Sequence, residues 1–174
     1  TLTPTLTLTL TLTLTPQGAD QGCARALLAA GHHVVLACPD PARGAAALQA
    51  LQADAPQGMG GSATFEALDL RDPDSVRGFC QRVLGVEASG ARPPLGLLVL
   101  NAACMPASEA WCPAAGASAD FAANCLGHAL LVELLLARAR LKQSVHVLNI
   151  TSFTHRCVLQ SEAGQLAFLR SHYG

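Results

Sequence analysis

The sequence predicts an α/β fold, a parallel sheet layered between helices, on three observations. Short runs rich in Leu and Val recur along the chain, stretches of helical propensity separate them, and glycine, proline and aspartate punctuate the junctions. Strand alternating with helix implies parallel pairing, because neighbouring strands that run the same way need a long crossover between them. The 174 residues suit one domain with a sizeable core.

The first element is the least regular. In TLTPTLTLTLTLTLT, threonine and leucine alternate, offering leucine to one side and threonine to the other, whereas a strand central to such a sheet is expected to be apolar on both. Threonine is β-branched and tolerates a strand. Residues 1–8 therefore read as a low-complexity segment that is disordered or loosely paired, with a strand near 9–15.

Next, ADQGCARALLAAG reads as a small-residue helix ending on Gly31, a residue that suits a helix C-terminus. HHVVLAC is a β-branched strand stopped by Pro-Asp-Pro, and ARGAAALQALQA is helical by propensity. After the glycine-rich loop APQGMGGS, ATFEALDL is a strand and DPDSVRGFCQRVLG a helix with Asp72 or Asp74 near its start. PLGLLVLNAA is apolar almost throughout, as expected of a strand covered on both faces. A loop leads to a long helix at about 119–142, and VHVLNITS closes the series as a second buried strand. Five strands result if the Thr-Leu repeat supplies one.

Composition narrows the function classes. With 13% charged residues and a net charge of −1, the chain has neither a basic footprint for nucleic acid nor an acidic tail. Apolar stretches such as Ala129–Ala137 fall far short of the roughly 20 residues of a membrane-spanning helix, so no transmembrane segment is expected. Seven cysteines (Cys23, Cys38, Cys80, Cys104, Cys112, Cys125, Cys157) are scattered with no Cys-x-x-Cys pair. That spacing argues for reduced thiols and against a zinc site, so no metal is expected, and His32 and His33 read as strand-edge histidines. No charged start followed by an apolar run marks a signal peptide, and the scattered cysteines argue for an intracellular location, cytoplasmic or organellar. The first residue is Thr1 rather than Met, and both ends read as cut.

If Leu10–Thr15 is a strand and Ala24 opens the following helix, TPQGADQG is a strand-to-helix turn of the type that holds a pyrophosphate. Such a turn needs glycines for close backbone approach and free N–H groups at the helix start. Thr15, Gly18 and Gly22 here resemble the phosphate turn of the short-chain dehydrogenase/reductase family, Thr-Gly-x-x-x-Gly-x-Gly. Pro16 and Asp20 stand where the first two family glycines would be. Proline removes an N–H donor and aspartate brings negative charge, which implies weakened cofactor binding.

The family's other motifs follow in order. HVVLACPDPARG resembles its second strand and adenosine-ribose turn, with Pro39 where many relatives carry an NADP-favouring arginine and Arg43 as an open substitute. LDL resembles the segment whose aspartate, Asp69, sits by the adenine, and LVLNAA resembles the Asn-Asn-Ala-Gly strand end with Asn101 and Ala102 in place and leucine and alanine (Leu100, Ala103) at the outer positions. FAANCLGHALLVELLL resembles the Asn-x-Leu-Gly-His helix, in which Asn124 would be an active-site residue supporting a proton relay. VHVLNITSFTHR resembles the strand that ends at the catalytic serine, Ser152, and its continuation is most similar to the retinol-dehydrogenase-like and WW-domain-oxidoreductase-like branch. On the residues alone, Asn124 could equally bridge backbone groups and Ser152 simply end a strand. His128 reads as a packed helix residue and Trp111 as a loop anchor.

The resemblance, spanning residues 10–174, implies a Rossmann-like doubly wound parallel sheet between helices, incomplete at the C-terminus, with residues 9–174 forming part of an NAD(P)-binding domain. It implies an NAD(P)-dependent oxidoreductase moving hydride between a nicotinamide, NADP or NAD, and a small apolar alcohol or carbonyl compound. The family's general acid/base is a tyrosine whose phenol is acidified by a lysine four residues later. Tyr173 and Lys142 are the only tyrosine and lysine, and no Tyr-x-x-x-Lys can form. The chain alone is therefore expected to be inactive. A non-catalytic nucleotide-binding or protein-interaction module stays open, as does a product left unstable by an exposed apolar sheet edge.

Overall fold

The computed structural model describes residues 7–11, 19–53, 60–104, 111–138 and 145–151. Five parallel strands form the main sheet: β1 (Thr7–Thr11), β2 (His33–Cys38), β3 (Ser62–Ala67), β4 (Leu95–Leu100) and β7 (His146–Asn149), in the order β3-β2-β1-β4-β7. Between β4 and β7 a short antiparallel ribbon, β5 (Trp111–Cys112) with β6 (Ala117–Ser118), precedes the last helical run.

The Thr-Leu repeat supplies the central strand at Thr7–Thr11, starting two residues before the expected 9, so the expected boundary at residue 8 falls inside the strand, and 12–15 lie outside the described residues. Thr7 pairs with His33 on one side and Leu95 on the other, and Thr11 with Ala37 and Leu100. In a repeat of period two, any slide of two residues leaves the same pattern on each face, so only the neighbouring strands select which residues pair.

Helices α1 (Ala19–Ala29) and α2 (Pro41–Ala53) cover one face of the sheet, and α3 (Pro73–Ala88) and α5 (His128–Arg138) the other. Alternation along β2 divides its side chains between the two layers. Val34 and Leu36 pack with Ala24, Leu28 and Leu51, while Val35 and Ala37 pack with Phe79, Val83, Leu131 and Leu135. All six β2 residues are buried, which is why the run after His33 reads as continuously apolar.

Local signals end the helices as the sequence suggests. Gly31, at φ 84°, closes α1 while its N–H donates to the Leu28 carbonyl and that of His32 to Leu27. Asp72 caps α3, its carboxylate accepting from the Asp74 N–H at 2.9 Å, and Pro73 occupies the first turn.

Two expectations are corrected. The strand VHVLNITS is not buried: Val147 is 41% exposed, Leu148 47% and Ile150 48%. β7 pairs with β4 alone, and among the described residues nothing pairs along its other edge. The apolar helical run is also longer than the Ala129–Ala137 stretch suggests. Ala119–Ala137 is long and apolar enough, by length and composition, to cross a membrane, while Leu131 and Leu135 within it are fully buried in the protein's own core.

Candidate functional site

Because all five strands are parallel, their C-terminal ends share one rim. The chain runs outward from β1 to β2 to β3, then crosses back to place β4 on the other side of β1. Connections therefore leave in opposite directions at the ends of β1 and β4, opening a crevice in which open α/β sheets bind their ligands.

Asp69 stands just past β3 on this rim. Its carboxylate accepts from Arg71 three times: the backbone N–H and Nε meet Oδ1 at 2.9 and 3.0 Å, and Nη2 meets Oδ2 at 2.8 Å. These bonds, the side-chain one foremost, hold the Asp69 carboxyl below the usual carboxylate range against a smaller upward push from burial. Asn101 and Ala102 follow β4 directly and are half-buried.

Asn124 reaches the same end of the sheet from a π-helical segment, Ala122–Gly127, between the single turn α4 (Ala119–Phe121) and α5. Its amide grips Cys104, accepting from the backbone N–H and donating to the carbonyl, both at 2.9 Å. The His128 Nδ1–H donates to the Asn124 carbonyl at 3.2 Å. Three residues on, Gly127 lies against the Leu70 carbonyl so closely that a Cβ there would overlap it. This contact joins the π-helical segment to the Asp69 turn.

The structure thus gathers Asp69, Asn101, Ala102 and Asn124 at one end of the sheet. Gly22, near the start of α1, is exposed, with nothing within 4 Å of the position a Cβ would take. Asp20 falls in the first turn of the same helix. Thr15, Pro16, Gly18 and Ser152 lie outside the described residues. Thr151 is the last described residue before Ser152, and the Ile150 N–H donates to the Leu100 carbonyl at 2.9 Å, beside Asn101.

Two participants escape sequence reasoning. Arg71 saturates most of the Asp69 carboxylate, and the Asp-x-Arg spacing is the only trace of it in the chain. Cys104 is the partner of Asn124 from 20 residues away, which no local pattern marks. Burial raises the pKa of the Cys104 and Cys125 thiols, so neither is an activated nucleophile. Among the described residues no disulfide joins the six cysteines, and no group of three or more His, Cys, Asp or Glu could hold a metal.

A strand order of 3-2-1-4 continued by a fifth parallel strand, with helices on both faces and side chains gathered at the reversal point, defines a doubly wound, Rossmann-like domain. No family model matches the chain. Retinol dehydrogenase 12 of Mus musculus is 32% identical over 142 residues, which are 79% of this chain and 41% of that protein. The WW domain-containing oxidoreductase of Gallus gallus is 30% identical over 157 residues, 87% of this chain and 36% of that one. A metagenomic short-chain oxidoreductase solved in complex with NADP shares the fold at a TM-score of 0.65 and 21% identity, covering 96% of this chain and 77% of that chain. The chain is similar to members of the short-chain dehydrogenase/reductase family, retinol dehydrogenases and a WW domain-containing oxidoreductase among them. It spans about two fifths of the length of its curated retinol dehydrogenase relatives.

Proposed function

We propose that this chain supplies the dinucleotide-binding layer of an NAD(P)-dependent short-chain oxidoreductase, acting on small apolar alcohols or carbonyl compounds in a reducing, intracellular compartment. The observation that carries the reading is the gathering of Asp69, Asn101, Ala102 and Asn124 at the reversal of strand order. The open space at Gly22 suits close approach of a diphosphate to the start of α1, and the ionised Asp69 suits an amino-bearing base. In this reading Thr15, Gly18 and Gly22 face the pyrophosphate, Asp69 the adenine, and Asn101 and Ala102 the body of the cofactor. Asn124 and Ser152 belong to the reaction centre.

When bound, NADP or NAD would accept or deliver the hydride. The chain's own contribution is to bind and orient: Asn124 fixes the backbone after β4, and Ser152 would offer a hydroxyl to the substrate oxygen. With no Tyr-x-x-x-Lys in the sequence, the 174 residues lack the pair that would move the proton, and by themselves they will bind without turnover.

A second reading, a non-catalytic nucleotide-binding or protein-interaction module, is favoured by Asp20 in the first turn of α1, where its charge opposes a phosphate. One experiment separates the two. The melting temperature is followed against NADPH and NADH, with turnover measured using an aliphatic aldehyde, for the chain and Asp20→Gly. Binding to the folded state alone must raise the melting temperature. A rise with either nucleotide, larger in Asp20→Gly, supports the site. No rise with either nucleotide at millimolar concentration overturns dinucleotide binding and leaves the interaction module, and steady NADPH consumption overturns the expected lack of turnover.

A further inference from the structure

The turn after β3 is pinned on several sides. The Asp69 N–H donates to Ser75 Oγ at 3.0 Å, the Asp72 N–H to the Asp69 carbonyl at 3.2 Å, and the Cys112 thiol to the Arg71 carbonyl at 3.3 Å. Gly127 closes on the Leu70 carbonyl between them. On this fixed turn the Arg71 side chain folds back on Asp69. A carboxylate has about four lone-pair directions. Arg71 fills two on Oδ1 and one on Oδ2.

Among the described residues one acceptor direction is left, on Oδ2. The two-pronged guanidinium contact fixes where it points, because a planar fork bound through Nε and Nη2 resists rotation of the carboxylate. A ligand meeting that oxygen must bring an N–H. A carbonyl oxygen in the same place would set lone pair against lone pair and leave both groups unpaired.

We propose that Arg71 is the positioning residue that sets base preference in the dinucleotide site: it presents Asp69 as a single, oriented acceptor that selects a base bearing an exocyclic amino group over one bearing a carbonyl there. The proposal rests on the placing of Asp69 beside the base in the function proposed above. Arg71 and Asp69 are 51% and 31% exposed, so the ion pair adds little to folding and its effect belongs to recognition.

The test titrates the 174-residue chain, Arg71→Ala and Arg71→Lys by calorimetry with NADPH and with its hypoxanthine analogue, which carries a carbonyl in place of the amino group. The chain itself favours NADPH by roughly tenfold, as expected for one oriented hydrogen bond to a charged group. Arg71→Ala brings the ratio to about threefold or less, chiefly by weaker NADPH binding, and Arg71→Lys, which keeps the charge without the fork, falls between. Equal preference in Arg71→Ala and the parent overturns the role of Arg71 and leaves the placing of Asp69 intact. A parent chain that binds both nucleotides alike, or neither, overturns that placing and the proposal with it. Melting curves confirm that each variant is folded, and Arg71→Lys decides the matter should the alanine variant unfold.

Discussion

Replacing Gly127 with alanine tests the contact on which the site depends. A Cβ at Gly127 would lie 2.8 Å from both the carbonyl carbon and the Cβ of Leu70, and closer still to the carbonyl oxygen, whereas ordinary contacts begin near 3.4 Å. The obstacle is backbone on a turn held by hydrogen bonds to Ser75 and Cys112, so it cannot swing aside as a side-chain tip would. The π-helical segment must therefore retreat by roughly half an ångström or more, in an interior packed too tightly to absorb it. Overpacking of this kind costs about 1–3 kcal/mol. For a chain of this size that is a fall in melting temperature of about 2–12 °C. The same retreat carries Asn124 away from Cys104 and loosens the two 2.9 Å bonds of that clamp. Gly85→Ala is the matched control: it lies within α3 with nothing within 4 Å of its Cβ position, and the substitution should stabilise by about 0.5–1 kcal/mol. Denaturant unfolding of both variants decides the matter. A Gly127→Ala variant within about 0.5 kcal/mol of the parent, the ordinary range of a surface change, would refute the reasoning.

Two further outcomes follow from buried imidazoles and from the exposed edge. Burial foremost, with the Arg92 charge in addition for His33, lowers the pKa of His33 and His128 below 6.5, so the unfolded chain takes up protons first as pH falls. Stability is full above about pH 6.5 and declines as pH drops from there through the folded-state values. Denaturant midpoints measured between pH 8 and 5 should show the decline, reduced in His33→Gln, and a flat profile in the parent would contradict it. On β7, Leu148→Lys places a charge on a strand whose side chains are already exposed, and should change stability by less than about 0.5 kcal/mol while reducing self-association. Light scattering against concentration checks this, and unchanged association would show that β7 is not the adhesive edge.

Much of the candidate site was legible because the motifs sit at strand ends, where local composition and topology agree. Asp69 follows a short strand, Asn101 follows an apolar one, and Asn124 lies near the start of a long apolar helical run, so alternation alone brings them to one rim. Asn124 also shows where such reading stops. Residue type allowed either a part in chemistry or a bridge between backbone groups, and the structure shows the bridge, to a residue 20 positions away. Arg71 went unnoticed because an exposed arginine two residues from an aspartate looks like ordinary surface until its fork is seen closed on both oxygens.

The order and type of the elements belong to the sequence, since helix periodicity, apolar runs, the Gly31 stop and the Asp72 cap are all settled among near neighbours. Other features needed the assembled sheet. The Thr-Leu repeat is unchanged by a slide of two residues, so its register came from β2 and β4. Whether β7 is covered depends on what lies beside it and not on its own apolar residues. The contact of Gly127 with Leu70 joins segments 57 residues apart, and only the packing of a helix onto a turn creates it.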